Sequence, residues 1–324
     1  MRAARRSAMR AAWLALPPML ACAGTALAQT CTATAAALNF GNISPVVAAE
    51  VNASSTISIS CTGFILSNAR VCLSIGTGGS GTGYAPRTLA NGSSLLNFNL
   101  SPSSSMAPTW GTRTATSTSI VQVDIPMLLG AGSATVNVYG RIAAGQTTLR
   151  AGIYQSSFGG AHTEMNYAGY ALVAPSCTTV TTPVARFPFT VSATVIPDCV
   201  ITATDLDFGT SGALTAARTG TGTLTARCTN GSNYTIALGA GTSPGASVAS
   251  RRLQRTGGTE QVNYQLYRDA AYALAWGDGT GGSSTQSGTG TGLSQAFTVY
   301  GRVPAQATPV AGTYTDVITV TITY

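Results

Sequence analysis

Apolar and polar residues alternate along much of this chain. Ile57, Ile59 and Cys61 are interleaved with Thr56, Ser58 and Ser60, and Ile318, Val320 and Ile322 with Thr319, Thr321 and Thr323. A period of two puts every second side chain on one face, so these runs predict strands with one buried face. Phe187, Phe189, Val191, Ala193 and Val195 repeat the pattern just before Cys199. Stretches rich in Gly, Ser and Thr at 76–83, 91–92, 239–245 and 277–292 supply the turns between runs. The expected fold is all-β, with two antiparallel sheets packed face to face in an immunoglobulin-like sandwich.

The pattern occurs twice. Asn39-Phe40-Gly41 corresponds to Asp207-Phe208-Gly209, Arg87 and Leu89 to Arg251 and Leu253, and Asn97-Phe98-Asn99-Leu100 to Asn263-Tyr264-Gln265-Leu266. Trp110-Gly111 matches Trp276-Gly277, Val138-Tyr139-Gly140-Arg141 matches Val299-Tyr300-Gly301-Arg302, and Gly152-Ile153-Tyr154 matches Gly312-Thr313-Tyr314. Matches in the same order at a nearly constant offset predict two tandem domains of ordinary size, at 29–196 and 197–324. Residues 159–185 read as an addition to the first. Trp110, Trp276, Tyr139 and Tyr300 recur in both copies and read as packing residues, and Gly140 and Gly301 as backbone features such as bulges.

Charge adds a leader. Arg2, Arg5, Arg6 and Arg10 precede an apolar run that ends in Ala26-Leu27-Ala28, the layout of a secretory signal over 1–28. Its removal takes four of the 17 basic residues and none of the 10 acids, leaving a net charge of +3, so the basic balance is no argument for a nucleic-acid partner. A lipidated Cys22 is the rival reading, but Met19-Leu20-Ala21-Cys22 lacks a Leu three residues before the Cys. Six cysteines then remain, an even number in an oxidising compartment. Cys31 to Cys61 and Cys199 to Cys228 are expected as bonds because they occupy equivalent places with separations of 30 and 29. Cys72 and Cys177 form the third by elimination.

Chemistry is sparse. All 17 basic residues are Arg, which removes Schiff-base and P-loop lysines. Residues 241–245 fit G-x-S-x-G, but Pro244 and the surrounding glycines make a turn and not a nucleophile elbow. The single His162 has no recognisable triad partner, and no carboxylate array resembles a calcium loop. No enzyme, cofactor or metal site is expected.

The second copy carries a specific set of motifs: Cys199, Asp207-Phe208-Gly209, Cys228-Thr229, Val262-Asn263-Tyr264-Gln265-Leu266-Tyr267, Trp276-Gly277-Asp278-Gly279, Thr298-Val299-Tyr300-Gly301-Arg302-Val303 and Gly312-Thr313-Tyr314-Thr315-Asp316. In these the chain resembles the spore coat protein U domain family, whose members include subunits of archaic chaperone–usher pili. The resemblance implies a sandwich lacking one strand, completed by a strand from the adjacent subunit. It also implies a periplasmic chaperone, an outer-membrane usher and display at the cell surface. Only Gln29 and Thr30 separate the expected cleavage site from Cys31, too few for a donor strand of ~5 residues. The expected role is therefore a tip adhesin that accepts a strand, with surface attachment and biofilm formation as its function. A non-polymerising coat or envelope protein of the same fold and a carbohydrate-binding module are the alternatives.

Two sites follow. The segment 187–195 is expected to close the first domain, leaving the second open beside the final strand at Tyr314, Ile318, Val320 and Ile322 and the strand beginning near Cys199. Three apolar runs without counterparts in the second copy are the candidate adhesive loops, meeting an abiotic or host surface: Phe64-Ile65-Leu66, Met127-Leu128-Leu129, and Tyr167 to Val173, with Tyr170, Leu172 and Val173.

Overall fold

The computed structural model describes residues 29–324; the expected leader, including Cys22, lies outside the described residues. The first domain is built from β1 (Thr30–Ala35), β2 (Leu38–Ile43), β3 (Val51–Thr62), β4 (Ser67–Ile75), β5 (Arg87–Asn91), β6 (Ser94–Ser101), β7 (Val121–Met127), β8 (Ala131–Ile142), β9 (Gly152–Phe158), β10 (Thr163–Tyr170), β11 (Val184–Ala185) and β12 (Phe189–Val195). They form an eight-stranded sheet in the order β1-β3-β8-β6-β5-β9-β12-β2 and a four-stranded sheet in the order β11-β10-β4-β7. Alternation sets the faces as expected: Ile57, Ile59 and Cys61 are buried in β3, and Phe189, Val191, Ala193 and Val195 in β12.

The second domain uses β13 (Cys199–Ala203), β14 (Arg218–Cys228), β15 (Asn233–Leu238), β16 (Arg251–Arg255), β17 (Gln261–Tyr267), β18 (Gln286–Thr289), β19 (Gln295–Val303), β20 (Tyr314–Thr315) and β21 (Val320–Thr323). Their orders are β13-β14-β19-β17-β16-β20 and β18-β15-β21. The first order repeats β1-β3-β8-β6-β5-β9 and stops there. The sandwich is thus the same, less the two strands beyond β9 in the larger sheet and the short edge strand β11 in the smaller one.

Paired registers fix the equivalence. Ala90 faces Gln155 as Gln254 faces Thr315, and Leu73 faces Met165 as Ile236 faces Ile322. By that register β10 corresponds to β21, so residues 163–170 belong to the shared framework, and the insertion expected at 159–185 narrows to about 171–185, including β11. Trp110 and Trp276 are buried, and each donates its indole N–H to a carbonyl of the facing sheet, Leu73 O and Ile236 O, both at 3.1 Å. Gly140 and Gly301 mark close approach, not bulges. A Cβ at Gly140 would meet Phe40 and Leu38 at 2.8 and 3.1 Å, and one at Gly301 would meet Leu206 and Phe208 at 2.8 and 2.9 Å.

Disulfides join Cys31 to Cys61, Cys72 to Cys177 and Cys199 to Cys228. The domains meet end to end across Ile196-Pro197-Asp198. Asp198 takes a hydrogen bond from the Ser44 hydroxyl, Arg227 donates to Val46 O, and Asn230 Nδ2 donates to Thr148 O at 2.9 Å. Among the described residues no helix is long and apolar enough to cross a membrane.

Candidate functional site

Two groupings of uncovered apolar residues stand out among the described residues. The first is the edge of the second domain. In the first domain β12 lies between two strands, antiparallel to β9 and parallel to β2, with Val191 opposite both Ser156 and Leu38. Leu38, Phe40, Tyr154 and Phe158 are consequently buried. Their counterparts Leu206, Phe208, Tyr314 and Ile318 pack against the second core but are only half-buried. Residues 204–210, the counterpart of β2, belong to no strand. No segment of the chain occupies the strand position between them among the described residues.

This layout corrects the expected groove in two respects. The bordering segment is 204–210, because the strand beginning at Cys199 is itself paired along β14. The final run is also not one strand: it breaks at 316–319 and crosses between sheets, so Tyr314 belongs to the six-stranded sheet and Val320 and Ile322 to the three-stranded one. Val320 and Ile322 pack half-buried against the core that the groove exposes.

The second place is the pole of the first domain remote from the second. β3 and β8 pair over their whole length, from Val51 with Ile142 to Thr62 with Ala131. At ~3.4 Å per residue this ladder runs roughly 37 Å. Its Val51 end lies on the side of Ile43 and Val195, toward the second domain. Its Thr62 end carries the loops.

Gly63 N–H donates to Gly130 O at 2.9 Å and Leu66 N–H to Met127 O at 3.0 Å, which sets the 63–66 and 128–130 loops side by side. Tyr170 at the end of β10 pairs with Asn68 at the start of β4, so the third loop begins at the same pole. Phe64, Ile65, Leu66, Leu128, Leu129, Leu172 and Val173 are all exposed there, Leu129 to 90% and Leu172 to 95%.

Two residues expected among them are not. Met127 is buried because it is the last paired residue of β7, opposite Ser67, and turns inward before the chain leaves the sheet. Tyr167 is buried as an inward residue of the framework strand β10. Tyr170 is half-buried at the end of β10.

The third loop is pinned at its base. Arg70 donates to both carboxylate oxygens of Asp124 at 2.7 and 2.9 Å, to Gln122 at 2.9 Å and to Pro175 O at 3.1 Å. The bond to Cys72 holds Cys177 just beyond. The hydrogen bond from Arg70, with a lesser one from Tyr170, outweighs burial and keeps the Asp124 carboxyl below its ordinary range. A carboxyl depressed on folding contributes fully above its unfolded pKa and loses that contribution as the pH falls through the folded value. Arg70→Ala is expected to cost about 1 to 2 kcal/mol and to speed protease cleavage at 171–176, read by mass spectrometry, with the rest of the domain still resistant. Cleavage at the wild-type rate would show that Arg70 does not hold the loop.

Nothing among the described residues forms a group of metal-ligating side chains. Ser243 of the G-x-S-x-G segment lies in a loop beside Asp316, with no helix following.

A family model described as the Spore Coat Protein U domain matches residues 19–159 and again 185–321. Protein U of Myxococcus xanthus is 38% identical over 109 residues, 32% of this chain. The match spans 60% of that protein's length. A chain of the CsuC-CsuE chaperone–tip adhesion subunit pre-assembly complex, from archaic chaperone-usher Csu pili of Acinetobacter baumannii, superposes with a TM-score of 0.55 at 19% identity, over 91% of this chain and 100% of that one. At that identity the likeness is one of fold. The CupB6 tip adhesin of Pseudomonas aeruginosa covers 90% of this chain and 93% of its own at 12% identity, with a TM-score of 0.36.

Proposed function

Because the chain belongs to the Spore Coat Protein U domain family, we propose that it is a two-domain tip adhesin of an archaic chaperone–usher pilus, a structural subunit and not an enzyme. In this reading the second domain takes a strand first from a periplasmic chaperone and then from the adjacent subunit, delivered through an outer-membrane usher. The first domain, closed by its own β12, meets an abiotic or host surface and supports biofilm formation. The fold shared with a chaperone–tip adhesion subunit complex agrees with this role.

One observation supports the adhesive part: seven apolar side chains are exposed on three loops that leave the sandwich at the same end. Scattered exposed apolar residues are ordinary, whereas a contiguous patch marks a contact surface. Leu66 sharpens the point, because it stands at φ 55°, a left-handed conformation in which Gly is at ease and Leu is not. An exposed leucine in such a conformation is consistent with a role in contact. Burying ~100 Å² of apolar area per loop yields about 2.5 kcal/mol each before ordering costs, and many tips on one cell multiply that through avidity.

Replacing Leu66, Leu128 and Leu172 by Ser, singly and together, is expected to leave fibre assembly normal and to reduce attachment of cells to plastic, most strongly in the triple variant. Leu66→Gly separates fold from contact: it is expected to stabilise the domain by ~0.5 to 1 kcal/mol while weakening attachment. Attachment at the wild-type level in the triple variant refutes the adhesive reading.

A further inference from the structure

The two domains differ at a pair of residues beside the open edge. Register matches Phe98 with Tyr264, each opposite the equivalent Arg, and Ser156 with Asp316. In the second domain the Tyr264 hydroxyl donates to one Asp316 carboxylate oxygen at 2.7 Å. The other oxygen accepts Thr242 N–H at 2.8 Å, Val317 N–H at 2.9 Å and the Thr242 hydroxyl at 3.3 Å. Burial, reinforced by the bond to Asp316, holds the Tyr264 hydroxyl well above its ordinary range, so it remains a donor.

The first domain needs none of this. Its residues 156–158 are held by the ladder to β12, with Val191, Thr190 and Phe189 opposite Ser156, Ser157 and Phe158. In the second domain residues 316–318 have no strand beside them among the described residues. The Asp316 carboxylate takes the Val317 N–H and ties this edge to β17 through Tyr264 and to the 241–243 loop through Thr242.

We propose that Tyr264 and Asp316 are positioning residues that hold the 314–318 edge ready for an extended segment from another chain, and that β12 makes them unnecessary in the first domain. The proposal rests on the strand-acceptor reading above. By the template of β12, that segment runs antiparallel to 314–318 and parallel to 206–210. It places a large apolar residue opposite Ile318, as Phe189 lies opposite Phe158, and a small one opposite Tyr314, as Ala193 lies opposite Tyr154.

The test uses the chain from residue 29 to 324 at nanomolar concentration, with a fluorescein-labelled peptide of the sequence 186–197 as the probe. Anisotropy gives the rate of capture, and a thermal melt of the loaded protein gives the stability of the closed form. The double variant Tyr264→Phe, Asp316→Ser carries the residues of the first domain. It is expected to capture the peptide about tenfold more slowly or worse, while the loaded form melts close to wild type. Tyr264→Phe alone removes only the hydroxyl and is expected to slow capture in the same direction. Unchanged capture rates overturn the proposal. So does an equal loss in capture and in the melting point of the loaded form, since the pair would then be ordinary core. If the wild-type chain captures no peptide, the acceptor reading itself fails and takes this inference with it.

Discussion

Val191→Asp is expected to prevent the first domain from folding. Val191 is fully buried at the centre of β12 and faces both Leu38 and Ser156, so a carboxylate there is desolvated with no cation to meet it. The lost apolar burial adds ~2 kcal/mol. β2 suffers as well, since β12 is its one neighbour in the sheet, and Leu38 and Phe40 would lose their cover. Together these exceed ~5 kcal/mol, comparable with the whole stability of a domain. Limited proteolysis of the full chain should show residues 30–195 degraded and the second domain no more sensitive than in wild type. Thr190→Asp, one residue away on the outward face, should change little. A protease-resistant first domain in the Val191→Asp chain would mean that β12 is dispensable.

The second large effect is expected at Arg87 and Arg251. Each is fully buried and hydrogen-bonded chiefly to backbone carbonyls, not to a carboxylate. Arg87 donates from Nε to Gly76 O at 2.9 Å, from Nη1 to Tyr84 O at 3.0 Å, and from Nη2 to Ile75 O and Trp110 O at 3.1 and 2.5 Å. Arg251 repeats the knot with Gly239 O at 2.9 Å and Leu238 O and Trp276 O at 3.1 and 3.0 Å. Burial draws the Arg87 guanidinium down to about 10, which still leaves it charged at neutral pH. One planar group with five donors therefore satisfies the carbonyls where the end of β4 or β15 meets the tryptophan loop. Leu at either position leaves three or four buried carbonyls without a donor, a loss of about 3 to 5 kcal/mol in urea unfolding. Lys should rescue little, because a single ammonium cannot span the same carbonyls. A loss below ~1 kcal/mol would show that water replaces the guanidinium at no great cost.

Which of these features could be read from the sequence depends on how far each is a local matter. Alternation predicts β3 and β12 because side-chain direction within a strand follows from neighbours two residues away. The repeat predicts the first two disulfides in the same way, by equivalence. Arg87 and Arg251 stand out as a matched pair, yet a charged residue is normally exposed, and only three-dimensional packing reveals the carbonyls that hold it. Met127 and Leu128 form one short apolar run that divides at the last ladder pair. No periodicity places that boundary. The strand β10 resembles β21 in register but hardly in residues, so residues 163–170 read as an addition until the pairing with β4 is seen. Asp316 was visible as part of a motif, but its partner Tyr264 lies 52 residues away.

The path of the chain through β12 has a mechanical consequence. Val195 continues directly into Ile196-Pro197-Asp198 and the second domain, so traction on the second domain pulls on β12 itself. The strand is held by seven register pairs along β9 and by β2 on its other side, and the pull runs along the strand while the bonds lie across it. Such a load is in shear. The bonds share it and must fail together, whereas a strand pulled sideways would unzip one bond at a time. β3 and β8, lying along the same axis over twelve register pairs, carry the load onward to the remote pole in the same manner. The first domain is therefore built to stay rigid under tension and then to give way abruptly.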